Sequence, residues 1–334
     1  MPHLVEAAAK LLIFSEPHKL FPSFVRPFMD FYVILGLKME KRALSILIPT
    51  YNDDCRKLVG ELSRQAEAIG QFSYEMLIAD DGSTNRQMVK QCQEAVSSLP
   101  HVRFIIRQQN SGRAAIRNFL AREAHYPWLL FLDGDMTIPS DRFLQNYLDS
   151  HALIAYGGYV VGQGSPSNLR YRYEKACEPQ HRPEERRKRP FQHFHTSNFM
   201  IGRDIIIDHP FDERFRNYGY EDVFFGKQLK QAGLSISHLD NPAGFFVYED
   251  NAHFVSKTEE GLRTLQQFAD ELHGYSQLLT LVDGIHLGIV KAVIRLWHRL
   301  FGAIERRNLC GSRPSLTVFK LFKIGYFITL NVEH

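Results

Sequence analysis

Four short apolar runs, each closed by a polar turn, limit what this chain can fold into. They are residues 44–49 (LSILIP), 74–79, 102–106 and 128–132. Between them, residues 55–69, 87–97 and 112–124 carry apolar side chains at helical spacing. Strands that alternate with helices of about 10–15 residues form βαβ units around a parallel sheet. The expected fold class is therefore α/β. In an open sheet of this kind, ligands sit beyond the carboxyl ends of the strands. The closing turns are thus where chemistry is expected.

Asp133-Gly134-Asp135 follows the fourth run directly. Carboxylates two residues apart in extended chain point to one side, and the glycine between them lets a ligand approach closely. Two hard oxygen donors on one face suit Mg²⁺ or Mn²⁺ bridging phosphates. Asp80-Asp81-Gly82-Ser83 closes the second run, where a carboxylate can accept hydrogen bonds from a nucleoside or simply cap a turn. Pro49-Thr50-Tyr51-Asn52 closes the first run on the same sheet edge. Asn110-Ser111-Gly112-Arg113 opens the helix after the third, with Arg117 and Asn118 one turn on. A helix N-terminus with glycine and arginine favours phosphate oxygens. Each turn is a weak signal alone. The ordered set supplies a base pocket, a phosphate clamp and a metal site.

Beyond residue 150 the pattern loosens. Residues 152–161, 234–239 and 244–248 read as strands, and 221–231 and 257–272 as helices. Residues 168–192 are polar and read as a mobile loop. Within it, 182–189 (RPEERRKR) is either a solvated charged segment or a lid over a diphosphate. Glu221 and Asp222 open their helix. Neighbouring helical residues diverge by about 100°, so one can deprotonate a hydroxyl while the other orients it. Helix capping by acidic residues is the plain alternative.

Net charge is +3, which gives no whole-molecule nucleic-acid footprint. Cys55, Cys92, Cys177 and Cys310 lie far apart, without a CxxC pair, and fit reduced thiols in a cytosol. No segment reaches the roughly 18 uninterrupted apolar residues of a membrane span. Residues 286–304 and 316–330 are apolar on one face and basic on the other. Such helices lie in a membrane interface or cap a core, and periodicity does not separate the two. The expected division is a helical lead-in over 1–42 and a catalytic domain over 43–273, followed by basic amphipathic helices over 274–334. The catalytic domain splits into a nucleotide-binding half, 43–136, and an acceptor half, 137–273. The expected location is cytoplasmic, with attachment to the inner membrane face left open.

Pro49–Asn52, Asp80–Ser83, Asn110–Asn118 and LFLDGD ending at Asp135 resemble the successive motifs of glycosyltransferase family 2. The resemblance runs from about residue 44 to residue 254. It implies the GT-A fold, a mostly parallel sheet flanked by helices, and a nucleotide-sugar donor, often a UDP-sugar. It implies that Tyr51 and Asp81 contact the base and that Asp133 and Asp135 hold ribose and metal, with Asp135 the direct ligand. Gly219-Tyr220-Glu221-Asp222 resembles the GYED segment of inverting galactosyltransferase-like enzymes, in which the Asp is the base. By the same resemblance His253 completes the metal site, and a nitrogen ligand leans toward Mn²⁺. His193 and His195 compete for that role. Their segment looks like the family's acceptor-side loop, where Ser197 and Asn198 would meet donor sugar or acceptor. The implied acceptor is a glycan or lipid-linked glycan of a bacterial surface polysaccharide.

Two rivals stand beside this reading. A nucleotidyltransferase would show a glycine-rich basic loop after the first strand, where this chain has Pro49-Thr50-Tyr51-Asn52. A catalytically inactive nucleotide-sugar-binding protein would be expected to lose the DxD motif or the base, and Asp133, Asp135 and Asp222 are all present.

Overall fold

The computed structural model describes residues 41, 43–70 and 72–330. The lead-in expected over 1–42 lies outside them, apart from Lys41. The strands β1 (Ala43–Thr50), β2 (Ser73–Asp80), β3 (Val102–Ile106) and β4 (Trp128–Leu132) alternate with helices α1 (Arg56–Ile69), α2 (Arg86–Val96) and α3 (Arg113–Glu123). The four strands run parallel in the order β3-β2-β1-β4. Every residue of β4 is buried, as a strand covered by helices on both faces requires. The chain leaves β1 toward β2 and β3, then returns on its other side as β4. This reversal opens a crevice beyond the carboxyl ends of β1 and β4, the position where doubly wound sheets bind ligands.

The remaining elements are β5 (Met136–Thr137), α4 (Phe143–Asp149), β6 (Ile154–Tyr156), β7 (Tyr159–Val161), α5 (Leu169–Cys177), α6 (Pro183–Lys188), β8 (Asn198–Gly202), α7 (Arg203–Asp208), α8 (Glu221–Gln231), β9 (Ser237–His238), β10 (Ala243–Phe245), α9 (Asn251–Gln267), α10 (Ala269–Leu272), α11 (Gln277–Asp283), α12 (Gly288–Cys310) and α13 (Leu316–Leu330). β8 joins β4 antiparallel and carries the large sheet on to β6 and β9. β5, β10 and β7 form a small second sheet. A mostly parallel seven-stranded sheet flanked by helices, with a helical C-terminal region, is the architecture expected of a GT-A fold.

Three expectations need correction. The strand read over 152–161 is broken at Gly157-Gly158 into β6 and β7, which belong to different sheets. A Cβ on Gly157 would fall 2.2 Å from the Asn241 carbonyl oxygen, and Gly158 has φ +82. Only glycine fits this turn. The loop read over 168–192 holds α5, a 3₁₀ turn and α6 instead. Its anchor is Arg186, 1% exposed, whose guanidinium donates to the carbonyl oxygens of Tyr156, Gly157, His181 and Leu239. At least this arginine of the charged run is a core clamp and not part of a lid. The strands read over 234–239 and 244–248 shrink to β9 and β10.

The two C-terminal helices differ. From α13, Phe319 and Phe322 pack with Leu169, Phe254 and Val255, while Phe327 and Ile328 join Leu262, Leu265 and Phe268. α12 packs along α13 but leaves much of its outer face exposed. No described helix is long and apolar enough to cross a membrane.

Candidate active site

One side of the crevice is built from strand-end turns that lock one another. The Asp81 N–H donates to the Thr50 carbonyl oxygen at 2.9 Å, tying the ends of β1 and β2 together. Asn52 adopts φ +58; its N–H donates to Ser83 Oγ at 2.8 Å, and its Oδ1 accepts from the Asn85 N–H at 3.0 Å. The buried Asp81 carboxylate accepts from the N–H groups of Ser111 and Gly112, both at 3.0 Å, from Ser111 Oγ at 2.8 Å and from Arg107 Nη1 at 3.0 Å. Asp81 therefore fixes the loop that opens α3. Gly82 packs against that loop, and a Cβ there would lie 2.6 Å from the Gln109 carbonyl carbon. Gly112 is as closely packed, with a Cβ site 2.7 Å from the Arg216 carbonyl oxygen. Pro49 is half-buried and Asn110 exposed. Tyr51, 43% exposed, presents its ring at the crevice edge.

The centre is the Asp133-Gly134-Asp135 turn. A Cβ on Gly134 would meet the Thr50 methyl at 2.7 Å, so the turn rests on the end of β1. The Asp133 N–H donates to the Ser197 carbonyl oxygen at 3.1 Å. The Asp133 carboxylate accepts from Arg117 Nη2 at 2.6 Å. Arg117 is buried, and its Nε has no partner. Asp135 has no such arginine clamp. Burial, then the facing charges of Asp53 and Asp133, push its carboxyl up to about 7 against the opposing pull of Arg113. Burial also raises Asp53. Unmet negative charge of this kind fits a hard divalent cation held by carboxylate oxygens and completed by phosphate oxygens of a donor. Among the described residues, no group of three or more His, Cys, Asp or Glu side chains is placed to hold a metal ion by itself.

The other side of the crevice enters through a strained turn. Gly219 has φ +97 and Tyr220 φ +69, an unusual value for a bulky residue. The turn is held by α9: Glu260 accepts from the Tyr218 N–H at 2.9 Å, and Thr264 Oγ1 donates to the Tyr218 carbonyl oxygen at 3.1 Å. It delivers Glu221 and Asp222 in opposite environments. Glu221 is buried, 3.6 Å from Arg117 Nη1 and 3.9 Å from Arg113 Nη1. Burial and the Asp222 charge raise its carboxyl despite both arginines. Asp222 accepts from His195 Nδ1 at 3.0 Å and from its neighbour's N–H at 2.8 Å. Burial opposes, but these bonds hold its carboxyl below the usual range. Arg113 stands 3.9 Å from both Asp133 and Glu221, so the two acidic segments line one site.

Other expected residues lie apart. Asn198 is fully buried. Its Nδ2 donates to the carbonyl oxygens of Gly158 and Asn241, and its Oδ1 accepts from the Tyr147 hydroxyl. With its amide engaged, it supports the β6–β7 turn rather than meeting a ligand. Asn118 likewise staples α3 to Phe211. His253 is exposed in the first turn of α9 and is not grouped with Asp133 and Asp135; Lys257, one turn on, faces Asp53. His193 carries a buried Nδ1 without a partner. Sequence reasoning missed Asp53, Arg107 and the His195–Asp222 pair. Asp53 directly follows the Pro49–Asn52 turn, which was the available signal.

Residues 45–209 match the family model described as Glycosyl transferase family 2. An uncharacterized glycosyltransferase of Haemophilus influenzae is 28% identical over 125 residues, 36% of this chain and 49% of that protein. A validoxylamine A glucosyltransferase of Streptomyces hygroscopicus subsp. limoneus is 27% identical over 230 residues, 58% of this chain and 49% of that protein. The chain spans about half the length of the curated relatives it matches. Among solved structures, the mannosyltransferase PcManGT from Pyrobaculum calidifontis, in complex with GDP-Man and Mn²⁺, is similar with a TM-score of 0.50. That match covers 92% of this chain and 93% of the other at 13% identity, a likeness of fold alone. By its family match and its sequence relatives, the segment 45–209 is of the Glycosyl transferase family 2 type.

Proposed function

We propose that this chain is a metal-dependent, inverting glycosyltransferase that moves a sugar from a nucleotide-diphosphate donor, a UDP-sugar, onto the hydroxyl of a glycan or lipid-linked glycan. The observation that carries the reading is the division of carboxylates in one crevice. Asp135 faces Asp53 and Asp133 with only Arg113 opposing, and its carboxyl is raised, whereas Asp222 accepts from His195 and the Val223 N–H and its carboxyl is lowered. Paired groups whose surroundings push their proton affinities apart mark acid–base roles.

In this reading the exposed Tyr51 ring covers the base, and the loop fixed by Asp81 sets the donor at the start of α3. Arg113, half-exposed, faces the diphosphate. Asp135, with Asp133 and Asp53, would hold Mg²⁺ or Mn²⁺. When bound, the cation neutralises charge on the departing diphosphate. The acceptor oxygen attacks the anomeric carbon from the face opposite the diphosphate. The new C–O bond forms as the bond to the diphosphate breaks, and the electron pair leaves with the nucleotide. The acceptor proton passes to the Asp222 carboxylate. An α-linked donor then gives a β-linked product.

The test is nucleotide release from UDP-, GDP- and TDP-sugars with Mn²⁺, Mg²⁺ or EDTA. Slow hydrolysis of one donor, abolished by EDTA and by Asp135→Ala, is the expected result. No metal-dependent binding of any nucleotide sugar would sink the reading, and transfer of the nucleotide itself would favour a nucleotidyltransferase.

A further inference from the structure

We propose that the outer face of α12 docks on an anionic lipid surface, lying in the plane of the interface. Ile289, Val293, Leu296, Leu300 and Ile304 recur at helical spacing along it, from 57% exposed at Leu296 to 73% at Ile289. At 1.5 Å per residue the stripe runs for about 22 Å. Trp297 sits beside it, 52% exposed. A continuous exposed apolar stripe of this length marks a contact surface, unlike scattered single residues.

The charges choose the occupant. α12 carries one acid, Glu305, and it is buried against His298 Nδ1 at 2.9 Å and Trp297 Nε1 at 3.0 Å. Arg299 flanks the stripe and Arg307 lies in line with its C-terminal end, both exposed, whereas Lys291 and Arg295 turn toward the packed side that carries His298, Glu305 and Leu309. Neither Arg299 nor Arg307 has a carboxylate partner among the described residues. A second copy of this face would bring like charges together, whereas anionic headgroups complement them. α13 shows the contrast, since its Phe319, Phe322, Phe327 and Ile328 are buried in the fold. α12 is too interrupted by charge to span a membrane, which leaves the interfacial arrangement. This inference is independent of the transferase reading.

The experiment uses the full chain with vesicles of phosphatidylcholine alone and with about one-third phosphatidylglycerol. The expected result is co-sedimentation with the anionic vesicles only, weakened by salt, with a blue shift of tryptophan emission as Trp297 enters the interface. Val293→Ser with Leu300→Ser should weaken binding by about tenfold or more, and Arg299→Gln with Arg307→Gln by a similar factor. These side chains are exposed or half-exposed, so circular dichroism and donor hydrolysis should not change. Absence of binding to the anionic vesicles would overturn the proposal. If, in addition, the serine pair lowers the particle mass in light scattering, a second copy covers the stripe instead.

Discussion

Residues 43–136 and 137–273 reach the same crevice by different construction. Across 43–136 the functional side chains sit at strand ends or on the first turns of α3, placed by the fold's repeating pattern. Asp81 is held by main-chain N–H groups at the start of the very next βα unit. Across 137–273 the side chains depend on partners outside any repeating pattern. Asp222 needs His195, and the turn that presents it needs α9 behind it. The β6–β7 turn needs Arg186 and Asn241. A periodic scaffold positions groups through backbone geometry, whereas an irregular one does so through buried polar contacts. Substitutions should separate the two.

The largest effect is expected at Asp222. Asp222→Asn keeps the shape but removes the proton acceptor, so transfer should fall by about 10²–10⁴-fold. Donor binding, which belongs to the other half, should be unchanged in a titration. Transfer within twofold of the parent would remove Asp222 as the base. Next comes Arg186→Leu, which strips the guanidinium from the carbonyl oxygens of Gly157 and Leu239 and leaves Tyr156 only the Leu239 N–H. Denaturant unfolding should show a loss of about 3–5 kcal/mol. A loss under about 1 kcal/mol would mean that the second half does not rest on its buried polar clamps. Gly82→Ala probes the first half, where φ is +72 and the backbone of Gln109 is the obstacle. About 2–3 kcal/mol of stability and a weaker donor affinity should be lost together. Loss of stability with full donor affinity would uncouple the Asp81 loop from the nucleotide.

The same contrast governs what the sequence discloses. β1 to β4 are legible to within a residue or so because a parallel strand between helices must be apolar, and the turn after it must be polar. The Asp133–Asp135 motif follows from that frame. β8 is also apolar and fully buried, but it enters antiparallel between β4 and β6, and nothing local announces the pairing. Residues 182–189 read as solvated because charge dominates their composition, although one of their arginines is buried whole. His195 looked like a metal ligand because histidine chemistry is legible and its partner is not. α12 and α13 share an apolar and basic pattern, and only their packing separates a buried face from an exposed one.

His195 gives the smallest and most discriminating test. Burial pulls its proton affinity down, but the Asp222 hydrogen bond and charge outweigh it, so it lies above the ordinary 6.5. Asp222 lies below the ordinary 3.8. Tyr156, Tyr159, His181, Glu174 and Arg186 face the imidazole from the surrounding elements. A raised histidine contributes stability that is complete below 6.5 and lost as pH climbs through its folded value. A depressed aspartate contributes stability that is complete above 3.8 and lost as pH falls through its folded value. The pair is therefore at full strength between about pH 4 and pH 6.5. His195→Gln should flatten the decline of Tm above that window. It should also leave Asp222 with burial less opposed, moving the acid limb of the turnover profile to higher pH. Turnover at neutral pH should fall by about tenfold, the low end for a group that only positions the base. A side chain that merely fills space would lower turnover without moving the acid limb, so an unmoved limb would assign His195 to packing and leave Asp222 to be held by the Val223 N–H alone.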